Sequence, residues 1–360
     1  METFAHSYYN FRPVEHNLVS EWDFLYNKAH NEFLNYLATT GIIGFLSYMS
    51  IVIIFFVFGM KYIVSSDKKD KDSSLNTKYK ILYTCLLASY TSYLVQNFFN
   101  FSVVIIALFF YLFPAIAFVI TNSTKPLYPK PLTLNPRFTI VGKAIAIVIF
   151  GILFWKLASY YTADTYFAKS QRYSETNPGK SYSYLTLASK LNPNEPFYKS
   201  ELGYTAATAA VLFASEDATT AAVLRDQAVK ETEDVLKSSP KSLSYLRTAV
   251  RTYFLLSSLD ASFLNQALQT IDKAIILAPT DAKLVYNKAL ILEETGKTKE
   301  AAEALEHIIK IKPNYREAHL TLGDLYFKQG RKQEAINHVN TVLKIIPNDP
   351  EALDRLKKWE

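Results

Sequence analysis

The chain has 360 residues, of which 49% are hydrophobic and 20% charged, and its mean hydropathy of +0.03 lies between that of a soluble enzyme and that of a fully membrane-embedded protein. The single cysteine, Cys85, excludes an intrachain disulfide and a cysteine-rich metal site. The formal net charge of +6 does not indicate a nucleic-acid partner, because the lysines beside the apolar segments suit the cytoplasmic flanks of membrane spans.

Residues 1–36 are predicted to form a loop ahead of the first membrane span. They contain only two basic side chains, Arg12 and Lys28, and show neither the basic start nor the short apolar core of a cleavable signal peptide. The first span is therefore expected to act as the insertion signal.

Four apolar segments are predicted to cross a bilayer, for which about 20 residues suffice, and the uncharged stretch 81–124 is long enough for two of these crossings. They lie at residues 37–60, 81–97, 101–120 and 138–158 and make up a transmembrane region over 37–158. The middle two form one uncharged stretch, in which Gln96, Asn97 and Asn100 mark the turn of a helical hairpin. Trp155 and the tyrosines after it predict an aromatic belt at the end of the fourth span.

The connections between the spans predict the topology, because cytoplasmic loops retain lysine and arginine. The first and third connections are basic, whereas the hairpin turn at 96–100 has no charge. The loop 1–36, the hairpin turn and everything after residue 158 are therefore predicted to lie outside the cytoplasmic membrane. The basic residues of the two connections are Lys61, Lys68, Lys69, Lys71, Lys78, Lys80, Lys125, Lys130 and Arg137.

A repeat follows the membrane region. Pro279, Pro313 and Pro347 are 34 residues apart, which is the tetratricopeptide period. Repeats are predicted at 248–279, 282–313 and 316–347, followed by a solvating last helix within the region 248–360. The fold class is therefore all-α, with polytopic transmembrane helices followed by a tetratricopeptide-type α-solenoid. The other recurring positions are Ala267, Ala301 and Ala335 in the second helices, Gly296 and Gly330 in the turns, and Gly323 with Tyr326 in a first helix.

Residues 159–247 carry a blurred form of the same pattern. Pro193 and Pro240 have similar surroundings but lie 47 residues apart, which predicts degenerate helical repeats with an insertion near residues 213–220. Stacked helix pairs form a concave surface that usually holds a peptide or another protein, so an envelope protein is the expected partner of the array.

Aromatic and histidine residues of the array could be mistaken for a binding site. Tyr286, Tyr315 and Tyr326 recur at helical spacing and are predicted to pack in the core. Three histidines, His307, His319 and His338, do not have the spacing of metal ligands and are predicted to be ordinary surface or packing residues.

The stretch that could carry chemistry is His30-Asn31, nine further residues, and Gly41-Ile42-Ile43-Gly44. A histidine at the outer mouth of a span could deprotonate an acceptor hydroxyl, since its ordinary pKa near 6.5 leaves it mostly neutral. Asn31 could orient that histidine or bind sugar hydroxyls, and Gly41 with Gly44 would let a helix or lipid chain approach. On the residues alone, an interfacial cap and simple helix packing remain open as alternatives.

This stretch resembles the signature of the O-antigen ligase and O-antigen polymerase superfamily, in which His and then Asn, Ser or Gln are followed by nine residues, Gly, two residues and a small residue or Tyr. The motif closes a large outer loop and leads into a span there, as it does here. The resemblance covers about residues 2–120 and the domain order. Members carry further spans ahead of this loop, so the chain is expected to correspond to the C-terminal part of such a protein.

The resemblance implies metal-independent glycosyl transfer, without a cofactor, from an undecaprenyl-diphosphate-linked glycan to an acceptor sugar or protein at the outer membrane face. It makes His30 the base or acceptor-positioning group. Family arginines in the outer loops suggest Arg12 as a partner of the diphosphate, with pairing to Glu15 as the structural alternative. A second dipeptide, His16-Asn17, lacks the glycine pair and is not expected to be a second site.

A second hypothesis belongs to another class. The 34-residue period and the lack of further spans for a donor-lipid groove are also consistent with a non-catalytic, membrane-anchored scaffold that recruits a protein through its repeats. Ligase and polymerase activities are not distinguished by the sequence.

Overall fold

The computed structural model describes Phe4 and residues 7–26, 28–69, 74–120 and 136–359, and every regular element within those ranges is helical. The chain divides into two compact units. One consists of Met1–Ser7 and Leu25–Thr139, and the other of Tyr8–Phe24 and Ile140–Glu360. Three lysines of the predicted cytoplasmic connections, Lys71, Lys125 and Lys130, lie outside the described residues.

Two short 3₁₀ turns, Tyr8–Phe11 and Val14–Leu18, precede the α-helices. The α-helices are, in chain order, α1 (Glu32–Lys69), α2 (Ser74–Phe99), α3 (Val104–Ile120), α4 (Pro136–Tyr173), α5 (Pro178–Leu191), α6 (Pro196–Phe213), α7 (Ala218–Ser238), α8 (Leu243–Leu256), α9 (Phe263–Leu277), α10 (Ala282–Glu294), α11 (Thr298–Ile311), α12 (Arg316–Lys328), α13 (Lys332–Ile345) and α14 (Pro350–Trp359).

Aromatic rings fill the core between α1, α2 and α3. Tyr48 and Phe110 stack with their ring centroids 4.7 Å apart, and Phe55 meets Tyr90 edge to face at 4.8 Å. All four side chains are buried. Offset and edge-to-face pairs add to the stabilisation from buried area, so this aromatic column holds the three helices together.

Helix α1 is broken at Gly41, where φ is +69° and ψ is −172°. This combination is almost restricted to glycine, so Gly41 is needed for the backbone itself. A Cβ on Gly41 would meet no atom within 4 Å, and a Cβ on Gly44 would meet the Thr40 side chain of its own helix at 2.2 Å. The close approach of a neighbouring helix or a lipid chain at Gly41 and Gly44 stays a prediction.

Two of the described helical stretches, Glu32–Val64 and Ile140–Tyr173, are long and apolar enough to cross a membrane. Helix α3 is apolar but has 17 residues, fewer than the usual crossing length of about 20. Helix α2 carries tyrosine, serine and threonine along much of its length and lysines near its start. The structure therefore supports two candidate spans, not the four that were expected.

Helix α4 runs without interruption from the fourth apolar segment into the repeat array. Every side chain from 140 to 158 is exposed, whereas Ala163 is fully buried against Ala188 and Tyr198. The hydroxyl of Tyr198 donates to the carboxylate of Asp164, the residue that follows Ala163. The last turns of α4 therefore serve as the first helix of the array and pair with α5.

The array continues as helix pairs α6/α7, α8/α9, α10/α11 and α12/α13, with α14 as the last helix. The pair α6/α7 is longer than the others, with helices of 18 and 21 residues against 13 to 15 downstream. The extra residues between Pro193 and Pro240 therefore extend both helices beside the turn at 214–217. The first helix of the repeat predicted at 248–279 begins earlier than expected, at Leu243.

The recurring small residues lie where the predicted packing requires them. Ala267, Ala301 and Ala335 are fully buried, and a Cβ on Gly323 would come within 3.3 Å of both the Ala335 carbonyl oxygen and the Trp359 ring. The two turn glycines of the period have φ of +77° and +79°, a conformation that other residues rarely adopt. The tyrosines at 315 and 326 are buried and the one at 286 is partly buried, in the core of the array.

Candidate functional site

The start of α1 is joined to the turn between α2 and α3 by three hydrogen bonds. Asn31 Nδ2 donates to the carbonyl oxygen of Phe98 at 2.9 Å, and the backbone N–H of Glu32 donates to that of Asn100 at 3.1 Å. The Glu32 carboxylate in turn accepts from the Ser102 N–H at 3.1 Å. Asn31 also caps α1, since its Oδ1 accepts from a backbone N–H three residues on. The motif therefore builds a defined contact between two chain segments.

His30 lies at the edge of this contact with an exposed side chain. Its ring packs edge to face on Phe101, with centroids 5.5 Å apart. Lys28 Nζ lies 5.8 Å from the centroid of the same Phe101 ring. An imidazole and a cation are thus held beside one aromatic side chain. Asn31 caps α1 and bonds to the turn, and its expected role in orienting His30 or binding sugar hydroxyls stays a prediction.

Arg12 belongs to the other unit, where it is buried. Its Nη1 lies 3.3 Å from the Asp281 carboxylate, and its Nη2 donates to Asn17 Oδ1 at 2.9 Å and to the Trp22 carbonyl oxygen at 2.7 Å. The guanidinium is 1% exposed. Arg12 is therefore paired with Asp281 instead of Glu15, and in this conformation it does not reach solvent.

Segment Tyr8–Phe24, here called the docking segment, contacts the repeats through Asn17 as well. Asn17 is fully buried, and its Nδ2 donates to the Thr280 carbonyl oxygen at 2.8 Å. The Thr280 hydroxyl donates back to the Arg12 carbonyl oxygen at 2.9 Å. The dipeptide His16-Asn17 is thus part of a packed interface.

Trp22 closes the other end of the docking segment. Lys312 Nζ lies 4.4 Å from the centroid of the Trp22 ring and donates to the Asn17 carbonyl oxygen at 2.6 Å. The Trp22 ring meets Tyr315 edge to face at 5.0 Å. A cation held against an aromatic face and a second ring is a typical anchor in protein interfaces.

The interface contains more cationic than anionic groups. Arg247 pairs with the same Asp281 carboxylate as Arg12 does, and Lys283 Nζ pairs with Asp23 at 2.7 Å. Burial, together with the charge of Arg247, lowers the pKa of Arg12, and the Asp281 carboxylate opposes that shift. Both arginines keep a buried Nε without a partner. The segment is therefore bound by specific contacts, but the buried Nε atoms of both arginines lose their hydration without gaining a hydrogen bond in return.

A second surface lies on the first helices of the pairs. Tyr204, Phe254 and Glu294 line an open groove of about 660 Å³, and the Arg251 guanidinium stacks on the Tyr204 ring at 4.2 Å. Burial raises the pKa of Glu201, and Arg251 opposes that shift. An open groove with aromatic, cationic and anionic sides is suited to a protein segment.

His319 and His338, which lie 19 residues apart in the sequence, are neighbours in the structure. The Nδ1 atoms of His319 and His338 are 3.0 Å apart, and His319 Nε2 donates to the Pro313 carbonyl oxygen at 2.9 Å. His307 is exposed on α11 and is not part of this pair. Within the described part of the chain, no group of three or more His, Cys, Asp or Glu side chains could hold a metal ion.

Family models of the tetratricopeptide repeat match residues 255–316 and 292–359. Residues 255–359 are tetratricopeptide repeats. The helix pairs, the buried alanines and the left-handed turn glycines described above are the physical basis of that match, and this architecture is used for protein interaction. No matched family model covers the motif at residues 30–44.

Curated relatives match over short stretches. The human protein O-mannosyl-transferase TMTC1 is 30% identical over 107 residues, which is 28% of this chain and 12% of that protein. The DnaJ homolog subfamily C member 3 of Rattus norvegicus is 33% identical over 93 residues, 26% of this chain and 18% of that protein. The matches thus span less than a fifth of these relatives.

Solved structures, among them a tetratricopeptide-repeat protein, also resemble part of the chain. The protein TTC0263 of Thermus thermophilus covers 55% of this chain and 98% of its own length, at 19% identity and a TM-score of 0.41. PilF of Pseudomonas aeruginosa covers 56% of this chain and 85% of its own length, at 19% identity and a TM-score of 0.41. Likeness at this level carries no functional inference.

Sequence reasoning missed the interface made by the docking segment. Arg12 and Asp281 lie far apart in the chain, and nothing in a single sequence pairs them. The only local signal was Asp281 itself, an aspartate just before a helix, which predicts a cap and not an ion pair.

Proposed function

We propose that the chain is the motif-bearing C-terminal part of an O-antigen ligase-like membrane glycosyltransferase that acts on undecaprenyl-diphosphate-linked glycans, with a repeat domain that binds a protein partner. The observation that carries this proposal is the built geometry of the motif. Its asparagine caps α1 and bonds to a neighbouring turn, its glycine adopts a conformation that only glycine tolerates, and its histidine is left exposed.

The proposed chemistry is the attack of an acceptor hydroxyl on the anomeric carbon of the donor. The bond from that carbon to the diphosphate oxygen breaks, undecaprenyl diphosphate leaves, and His30 takes the proton of the attacking hydroxyl. The leaving diphosphate requires a nearby cation. Lys28 is a cation beside His30, on the shared Phe101 ring, and we propose it for that role in place of the buried Arg12.

The docking segment supports the proposed topology. Tyr8–Phe24 precedes the first candidate span and packs on repeats that follow the last one. Both parts must therefore lie on the same side of a membrane, which requires an even number of crossings between them. Two and four crossings both satisfy this condition, and the basic connections favour the outer side.

A direct test replaces His30 by Ala in the chain expressed with its genomic neighbourhood and measures transfer of lipid-linked glycan in isolated membranes. A lost general base typically lowers the rate by about 10²–10⁴-fold. His307→Ala, an exposed change on α11, serves as the matched control and should leave transfer unchanged. Lys28→Ala should lower transfer while Lys28→Arg should retain most of it. Unchanged transfer by His30→Ala would overturn the catalytic role.

A second candidate function is a membrane-anchored scaffold without transfer activity. The burial of Arg12 favours it, because the arginine that resembles a family diphosphate partner is sequestered in the repeats. Glycan transfer by the unaltered chain discriminates the two, because the scaffold predicts none. Arg251→Glu in the open groove then tests the scaffold itself, which predicts loss of an envelope protein partner with this variant.

A further inference from the structure

We propose that two consecutive inter-repeat turns form a binding surface whose ligand is the chain's own docking segment. The surface, called the inter-repeat edge, consists of the turns at 278–281 and 312–315 with Arg247 and Lys283 beside them. It is distinct from the open groove lined by Tyr204 and Phe254. It also does not depend on glycan transfer, since its contacts lie wholly among the docking segment and the repeats.

The edge recognises an arginine through Asp281. This carboxylate is fully buried, caps α10 by accepting from the Lys283 N–H at 3.0 Å, and binds both Arg247 and the incoming Arg12. The cap uses Oδ1 and fixes the orientation of the carboxylate, so that Oδ2 is shared by Arg247 and the incoming Arg12. A neutral side chain in place of Arg12 would leave that buried charge with less compensation.

The edge recognises the backbone of the ligand around Asn17. Thr280 gives and receives one hydrogen bond across the interface, to the Arg12 carbonyl oxygen and from Asn17 Nδ2, and Lys312 donates to the Asn17 carbonyl oxygen. These bonds require an irregular chain that presents its carbonyl groups. They therefore select a compact turn and not a helix.

The third contact is aromatic. Trp22 lies ten residues after Arg12 and packs against Lys312 and Tyr315. The ligand is thus a segment with an arginine, a buried asparagine five residues on, and a tryptophan after another five. Arginine and tryptophan are among the residues that most often dominate binding energy at interfaces.

Docking is suited to release because two aromatic side chains, Tyr9 and Trp22, supply the apolar anchoring of the segment, while most of its aliphatic side chains stay outside the contact. Five of its apolar side chains remain exposed, namely Phe11 (79%), Val14 (40%), Leu18 (57%), Val19 (49%) and Phe24 (59%). The bound state instead depends on buried ions whose desolvation is incompletely repaid, as the unpartnered Nε atoms of Arg12 and Arg247 indicate. The edge therefore acts as a reversible clamp on the chain just ahead of His30.

The clamp is tested by hydrogen exchange of the full chain in detergent. Asp281→Asn retains a capping oxygen but removes the charge, and we expect amides of residues 8–24 to exchange about tenfold faster or more. Asp217→Asn is the matched control, because Asp217 caps α7 in the same way and contacts no docking-segment residue. If Asp281→Asn also accelerates exchange in 282–294, Arg12→Gln replaces it, since that change alters no residue of the repeats and Arg247 stays paired with Asp281. Unchanged exchange of 8–24 in Arg12→Gln would overturn the clamp.

A second experiment tests whether the edge is a separable receptor. The full chain with Arg12→Gln and Trp22→Ala has an emptied edge, and a labelled synthetic peptide of residues 7–24 is titrated against it by fluorescence anisotropy. We expect saturable binding that weakens at least tenfold when the peptide carries Arg12→Gln. Equal binding of both peptides, or none, would overturn the receptor. Failure here leaves the His30 test intact, and failure of the His30 test leaves the clamp intact.

Discussion

Acidification is expected to weaken the repeat that contains His319 and His338. A carbonyl oxygen only accepts, so His319 Nε2 carries the proton that it donates to Pro313. In neutral His319 the Nδ1 atom is therefore an acceptor, and His338 Nδ1 must donate to it. A proton added at His319 Nδ1 places two N–H groups against each other and breaks this bond.

Burial, together with the charge that His319 would carry, lowers the pKa of His338 from the ordinary 6.5 to about 4. Glu306 and Glu334 oppose that shift and Arg331 adds to it. Because the unfolded chain binds the proton more readily, the free energy of unfolding falls as the pH drops from about 7 towards 4. Proton linkage lowers the free energy of unfolding by about 2 kcal/mol between pH 7 and pH 5, and solvent screening reduces this loss to about 1–2 kcal/mol.

The assay is hydrogen exchange of amides in residues 316–345 at several pH values, corrected for the intrinsic pH dependence of exchange. The unaltered chain should lose protection on acidification, and His319→Gln with His338→Gln should flatten the profile, because amides keep a hydrogen bond without titrating. His307→Gln, the exposed control, should keep the original slope. An unchanged slope in the double variant would refute the reasoning.

Three further changes test the fold and the motif. Gly41→Ala should lower stability in detergent by about 1–3 kcal/mol, because its backbone conformation is strained for any Cβ. Gly142→Ala, with open space in a helix, should leave stability unchanged or raise it by up to about 1 kcal/mol in the same melting assay. Arg316→Gln removes a bidentate pair with Asp349 (2.6 and 3.0 Å) and should raise exchange in the last helix about tenfold, with little change elsewhere. Gly323→Ala should cost about 1–3 kcal/mol by thermal unfolding, since the added methyl overpacks the contact with the final helix, and an unchanged midpoint would contradict that packing.

The repeat array was predictable because its signals are local. Proline, glycine and small residues recur at fixed offsets, and each acts on the turn or contact beside it. The boundary near residue 248 was placed five residues late, because Pro240 lies 39 residues before Pro279 and a fixed period of 34 counted back from Pro279 misses the true start at Leu243. The extra length of the pair α6/α7 was predicted to be an insertion near residues 213–220, because extra helical turns and extra loop residues increase the spacing between Pro193 and Pro240 equally.

The motif region was predictable only in part. The sequence placed His30 and Asn31 ahead of the first span and the hairpin turn near Asn100, but not the bonds that join them. Hydropathy predicted four spans where the structure supports two candidates, because an uncharged stretch is not always a long apolar helix. Helix α2, with its many hydroxyl groups, is an example. The docking of Arg12 depends on contacts between residues that are far apart in the chain, and local sequence patterns do not predict such contacts.

The unbroken course of α4 has a mechanical consequence. Its 38 residues form a rod of about 57 Å, from the exposed apolar stretch to the turns that pack against α5. A flexible linker would let the repeats swivel freely, whereas a continuous helix transmits torque and tilt. A force applied to a protein held by the array would therefore incline the proposed span within the bilayer, so that engagement of a partner and orientation of the membrane helix become a single coupled movement.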